Sequence, residues 1–239
     1  MNASQELVGR TPAQIECMVK ELFKRRQDVR CEPPIRLEWL IENEENVRLE
    51  IVMGLRADHG VEGGIWKEQG SKELTVFIDW GICIGPWPEY NAVLGEEFAH
   101  LVVHPALLIQ VKSVEDFIAL QRHPEWTRYE RDARRFSRAL RMPTGPFVAE
   151  AEQLYAQVVA EHSFGDPDTI EKFVRNGLCQ KFRVPSDDAI RRMLCHPCEL
   201  SRRIQMSVHA YSSTLLPADS TLAPASHSLQ KKFAGFDLD

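Results

Sequence analysis

One stretch constrains this chain of 239 residues more than any other: Asn91 to His104, NAVLGEEFAHLVVH. Set on a helix at about 100° per residue, it divides into two faces. Leu94, Phe98, Leu101 and Val102 gather on one side, a stripe that asks for a hydrophobic core. Glu96, Glu97, His100 and His104 fall within an arc of about 100° on the other side. Glu96, His100 and His104 step by four, so their side chains stack along one line. The pattern predicts a helix over about 90–104.

A helix uses this geometry to hold a divalent metal. Ligands stand at i and i+4, and a carboxylate at i+1 is the general base for a metal-bound water. In the H-E-x-x-H signature both ligands are histidines. Here the stretch is Glu96-Glu97-x-x-His100: Glu97 fills the base position, His100 the second ligand position, and Glu96 stands where the first histidine would be. Taken alone, the same residues also describe a charged outer face with a Glu–His pair at i,i+4. A second segment, ERDARRFSRALRMP over 130–143, bears on the choice. Ala133, Phe136 and Leu140 form its core stripe. Glu130 lies at the edge of that stripe, where it can supply a third ligand or pair with Arg134.

The rest of the chain reads as α+β, with a small β-sheet packed against helices. Thr11 and Pro12 open a helix over 12–30, and a short helix follows at 36–44. Alternation in Val47–Val52 predicts a half-buried strand. Ile65–Lys67 and Leu74–Ile78 are further strands, joined through a turn at Glu68-Gln69-Gly70-Ser71. Residues 59–64 and 79–89 read as connections rich in glycine and proline. Further helices are expected at about 114–121, 125–141, 146–162, 167–180 and 187–195. From residue 212 the periodicity is lost in a run of Ser, Thr, Ala and Pro, and 212–239 reads as a disordered tail. The composition, 44% hydrophobic and 27% charged, is that of a globular chain and excludes a collagen or a disulfide miniprotein. A net charge of −6 argues against a bulk polyanion binder. No apolar run approaches a membrane span, and the N-terminus lacks a secretory pattern. The expected compartment is therefore the cytoplasm, with the six cysteines as free thiols.

The order and wording of these motifs resemble the ImmA/IrrE family of zinc metallo-endopeptidases. LGEEFAHLVVH is similar to that family's "AHEFAHLLLH" helix, and ERDARRFSRALRMP to its "EREANRFAAELLMP" helix. PPIRLEWLIENEENVRLEIVMGL, GVEGGIWKEQGSKELTVFID and LCQKFRVPSDDAIRRML resemble its first helix and strand, its hairpin and a later helix. The likeness runs over roughly residues 12–195. It implies a zincin-like peptidase domain over 1–145, a helical C-terminal extension over 146–211 and the tail beyond. It also implies Glu97 as catalytic base, His100 and Glu130 as metal ligands, Glu96 in the first ligand position and His104 as an auxiliary residue. The implied cofactor is Zn²⁺, and the implied activity is cleavage of a protein partner such as a DNA-binding repressor or an antitoxin. Glu96 and Arg134 depart from the family pattern, which has His and Asn or Asp there. A Glu96–His100–Glu130 set is harder and more anionic than His–His–Glu, which shifts its preference toward Mn²⁺ or Mg²⁺. Three states are open: a working site with altered ligation, a weak metal site, or none. The last is a catalytically inactive member that binds a partner without cutting it.

Three secondary signals remain. Cys195-His196-Pro197-Cys198 has redox or half-knuckle spacing, without a second pair to complete a four-cysteine site. Arg128, Arg131, Arg134, Arg135, Arg138 and Arg141 fall on one side of their helix, either as a solvated face or as a dock for an acidic partner or nucleic acid. No nucleic-acid motif accompanies them, so direct nucleic-acid binding is not expected. Trp80, Trp87 and Tyr90 precede the central helix and either line a cleft or anchor the packing.

Overall fold

Thr11 caps the first helix, α1 (Pro12–Arg25), in a reciprocal box: its hydroxyl accepts from the Gln14 amide, and the Gln14 side chain accepts from the Thr11 amide. The computed structural model describes residues 9–26, 32–67, 70–161, 167–194, 200–204 and 206. The expected tail over 212–239, the Cys195/Cys198 pair and the turn residues Glu68 and Gln69 lie outside the described residues. Helix α1 stops at Arg25, short of the expected residue 30. Arg26 leaves helical geometry, pairs with Glu44 at 2.6 Å and stacks over Trp39.

Helix α2 (Leu37–Glu42) leads into a three-stranded sheet of order β1-β3-β2. Strand β1 (Val47–Val52) runs parallel to β3 (Leu74–Asp79), and β2 (Gly63–Trp66) runs antiparallel to it. The alternation in VRLEIV suits the edge position of β1. The near-continuous apolar run of β3 suits the centre, where the sheet is covered on both faces. Val76 and Ile78 enter the main core, while Phe77 points to a smaller cluster with Leu55, Val61, Trp66, Val111 and Phe117. Two short helices stand where the sequence pattern predicted none. Gly54, at φ +84°, turns the chain into α3 (Leu55–His59). Asp79 caps α4 (Trp80–Cys83) by accepting from the Gly81 amide at 2.7 Å, within the stretch read as loop.

Helix α5 (Trp87–Val103) is followed by α6 (Pro105–Leu108), α7 (Val114–Gln121) and α8 (Trp126–Arg141). Helices α1, α2, α5 and α8 and the sheet enclose one core around Leu40, Ile78, Leu94, Phe98, Phe136 and Leu140. Each such fully buried side chain stabilises the fold by about 1.5–3 kcal/mol. Helices α9 (Thr144–Glu161), α10 (Pro167–Phe182) and α11 (Ser186–Leu194) build a second core around Phe147, Val174, Leu178 and Met193. The described helices include none long and apolar enough to cross a membrane.

Charge lies between the two cores. Glu16 of α1 pairs with Arg192 of α11 and accepts from the Thr144 hydroxyl at 2.7 Å. Arg192 Nε donates to the Met142 carbonyl at 3.1 Å. Arg141, only 1% exposed, donates from Nη2 to Asp188 at 2.7 Å and from Nε to Ser137. Part of the arginine row on α8 is thus turned inward and partnered: Arg138 and Arg141 are buried, and both meet Asp188 of α11.

Candidate functional site

Helices α5 and α8 approach closely because Gly95 has no side chain. A Cβ there would meet Ser137 Oγ, with Arg141 Nε at 3.2 Å and Leu37 Cδ1 at 3.3 Å. This approach brings the acids and histidines of α5 against α8. The polar line of α5 is accordingly buried, with Glu97 at 7%, His100 at 3% and His104 at 5% exposed. Strand β2 closes the site from the other side. A Cβ on Gly63 would lie 2.7 Å from Val93 Cγ1 and 3.0 Å from Glu97 Oε1, so glycine there lets the strand pass over Glu97.

The structure brings His100 and Glu130 together, with Nε2 3.3 Å from Oε1. His100 Nδ1 lies 3.2 Å from His104 Nδ1. Two arrangements satisfy both contacts: with both rings neutral, His104 Nδ1–H donates to His100 and His100 Nε2–H to Glu130, and with His100 charged, its two N–H groups donate to His104 and Glu130. His104 Nε2 is buried without a partner. Trp126 stacks on His100, centroids 5.3 Å apart and planes 10° from parallel, and Tyr129 meets His104 edge-on. Burial, then the charges of His100 and Arg10, push the His104 imidazole down to about 3.

The carboxylates divide by environment. Glu97 is buried and its Oε2 has no hydrogen-bond partner. Burial first, then repulsion from Glu130 and Glu96, raises its acid well above the ordinary range and favours the protonated form. Burial also raises Glu96, against the pull of Arg134. Burial pushes Glu130 up, but the hydrogen bond and charge of His100, followed by Arg134, outweigh it and leave the carboxyl lowered. Arg134 bridges the two outer acids: its Nε is 3.6 Å from Glu96 and its Nη2 is 3.2 Å from Glu130.

As folded, the described residues here do not offer a divalent metal three ligands. Zn²⁺ needs its ligands about 2 Å from one point. His100 Nε2 and Glu130 Oε1, 3.3 Å apart, have the spacing of two ligands on one ion, but Glu96 and Glu130 share a guanidinium. Among the described residues no group of three His, Cys, Asp or Glu side chains is placed to hold a metal ion.

Beside His100 and Glu130 opens a cleft of about 450 Å³, lined by Gln121, Trp126, Thr127, Glu130, Arg131, Arg134 and Arg138. Its aromatic wall is Trp126, and the expected tryptophans stand elsewhere. Trp80 and Trp87 are exposed, Trp87 under Arg183, and Tyr90 is a packing residue that donates to Glu38 at 2.7 Å. The sequence did carry a sign of Trp126, which precedes Glu130 by four residues and so shares its helix face. Arg131 was already among the arginines placed on one side of this helix, whereas Asp188, 47 residues beyond Arg141, had no sign in the sequence. No protein-family model and no curated protein matches the chain.

Proposed function

We propose that this chain is a peptidase-like binding protein, which keeps a zincin-like cleft and grips a partner protein without cutting it. The observation that carries this reading is Arg134. Its guanidinium joins Glu96 and Glu130, the two acids that would hold a metal in the ImmA/IrrE-like scheme. One built-in positive charge thereby offsets the repulsion that a divalent ion would otherwise relieve. A metal entering here must displace Arg134 from Glu96 and Glu130. Glu97, buried beside Glu96 and Glu130, is favoured in its protonated form as folded. A repressor-type or antitoxin-type protein in the cytoplasm is the partner that fits the motif resemblance, and the free thiols of Cys17, Cys83 and Cys179 agree with that compartment.

The test is to titrate zinc into the wild-type chain and into Glu96→His/Arg134→Asn, following bound metal and thermal unfolding. Wild type should retain no stoichiometric zinc and gain no stability. The double variant should take one equivalent and gain about 2.7 kcal/mol at a hundredfold excess over Kd. Stoichiometric zinc in wild type, with zinc-dependent cleavage of casein, would overturn the reading in favour of a metallo-endopeptidase.

A further inference from the structure

The wall of the cleft holds three guanidinium groups, from Arg131, Arg134 and Arg138, against one carboxylate, Glu130. Acids engage two of the three. Arg134 is shared by Glu96 and Glu130, and Arg138 Nε lies 3.7 Å from Asp188. Arg131 has no carboxylate partner among the described residues, and its Nε is buried without a hydrogen-bond acceptor. Its Nη2 rests against the N-terminal segment, where a Cβ on Gly9 would lie 3.0 Å away. A cation partly withdrawn from water with no counter-charge is costly, and an incoming carboxylate relieves that cost. Arg131 and Arg134 stand at i and i+3, so their guanidinium groups reach the same side of α8. Trp126 adds a flat apolar wall, and Gln121 and Thr127 add hydrogen-bonding groups. A volume of about 450 Å³ exceeds what a lone carboxylate needs.

We propose that this cleft binds an acidic stretch of a partner protein, with Arg131 anchoring one carboxylate and Arg134 supporting it. The inference rests on the binding reading above and names the chemistry of the partner. Nucleic acid fits less well. Glu130 interrupts the basic wall, a single aromatic is not a stacking track, and the chain as a whole carries −6.

The experiment uses the full chain and fluorescence anisotropy, with labelled hexaglutamate as probe and hexaserine and hexalysine as controls. Hexaglutamate should bind at least about tenfold tighter than either control at low salt, and added chloride should weaken it. Arg131→Ala should weaken it about tenfold or more. Arg131→Lys should recover part of the loss, because it keeps the charge but not the fork. Lys72→Glu/Lys112→Glu, in a separate basic hollow near the sheet, should leave binding unchanged. Far-UV circular dichroism checks that each variant is folded. The proposal falls if hexaserine binds equally, if folded Arg131→Ala binds like wild type, or if the lysine variant loses binding instead. It also falls if inorganic phosphate or a single-stranded oligonucleotide displaces the peptide at equal ionic strength, which would mark a small-anion or nucleic-acid site. The zinc titration separates the two levels. Failed peptide binding without zinc uptake removes only the acidic-partner inference, whereas zinc uptake removes the reading beneath it.

Discussion

Gly95→Ala places one carbon where α5 crosses α8, and two effects of similar size then oppose each other. Alanine gains about 1 kcal/mol over glycine in a helix interior. Against this, the new methyl meets Ser137 Oγ at a distance side chains do not tolerate, with Arg141 Nε and Leu37 Cδ1 also close at 3.2 and 3.3 Å. Overpacking of this kind costs about 1–3 kcal/mol. Ser137 is fully buried and accepts from Arg141 Nε, so it cannot swing aside without stranding a buried guanidinium. The clash should win, and Gly95→Ala should destabilise the fold by about 1 kcal/mol. In a Ser137→Ala background the offending oxygen is gone. The same change should then be neutral or stabilising by up to about 1 kcal/mol. Ser137→Ala costs about 1 kcal/mol for its own lost hydrogen bond, and the double-mutant cycle subtracts that. The expected coupling is therefore on the order of 1–2 kcal/mol. Urea unfolding of the four proteins, followed by tryptophan fluorescence, reads it as a midpoint difference of roughly 0.5–1 M at a slope near 2 kcal/mol per M. Additivity within about 0.5 kcal/mol would refute the tight approach of the two helices.

Two further outcomes test the charged interior. Asp188→Ala strands Arg141, a buried guanidinium whose Nη1 already lacks a partner, and should cost about 3 kcal/mol in urea unfolding. A loss below about 1 kcal/mol would show that water solvates this contact. The second outcome is a pH profile. With the His104 imidazole held down to about 3, the native chain refuses a proton that the unfolded chain accepts below about 6.5. Stability should therefore fall as pH drops from about 6.5 towards 3, by on the order of 4 kcal/mol from this residue. His104→Asn should flatten that limb, and equal limbs in the two proteins would contradict the burial and the His100 and Arg10 contacts.

The apolar half of α5 was legible because Leu94 and Phe98 follow the helical period, and both lie in the core. The polar half was legible as a line of residues but not as an interior. Burial of Glu97 and His100 depends on α8 and β2, and on glycines at 63 and 95 whose role is the absence of a side chain. The arginines of α8 read as an outward-facing row, solvated or docking a partner, because an isolated helix gives no reason to bury them. Asp188, far along the chain, supplies that reason for Arg138 and Arg141. Helices α3 and α4 escaped notice because five and four residues are too few to show a period. Their caps, Gly54 and Asp79, were the readable signal. Arg134 opposite Glu130 was visible from the i,i+4 spacing, whereas its reach to Glu96 on another helix was not.

The layer joining Glu16 to Arg192 and Arg141 to Asp188 has a thermal consequence. Heat capacity changes mainly when hydrocarbon is exposed to water. Parting the two cores along a layer of ion pairs would uncover little hydrocarbon, while melting either core would uncover much. In a calorimeter the separation of the halves would thus carry a small heat-capacity step, and each half would keep its own large one.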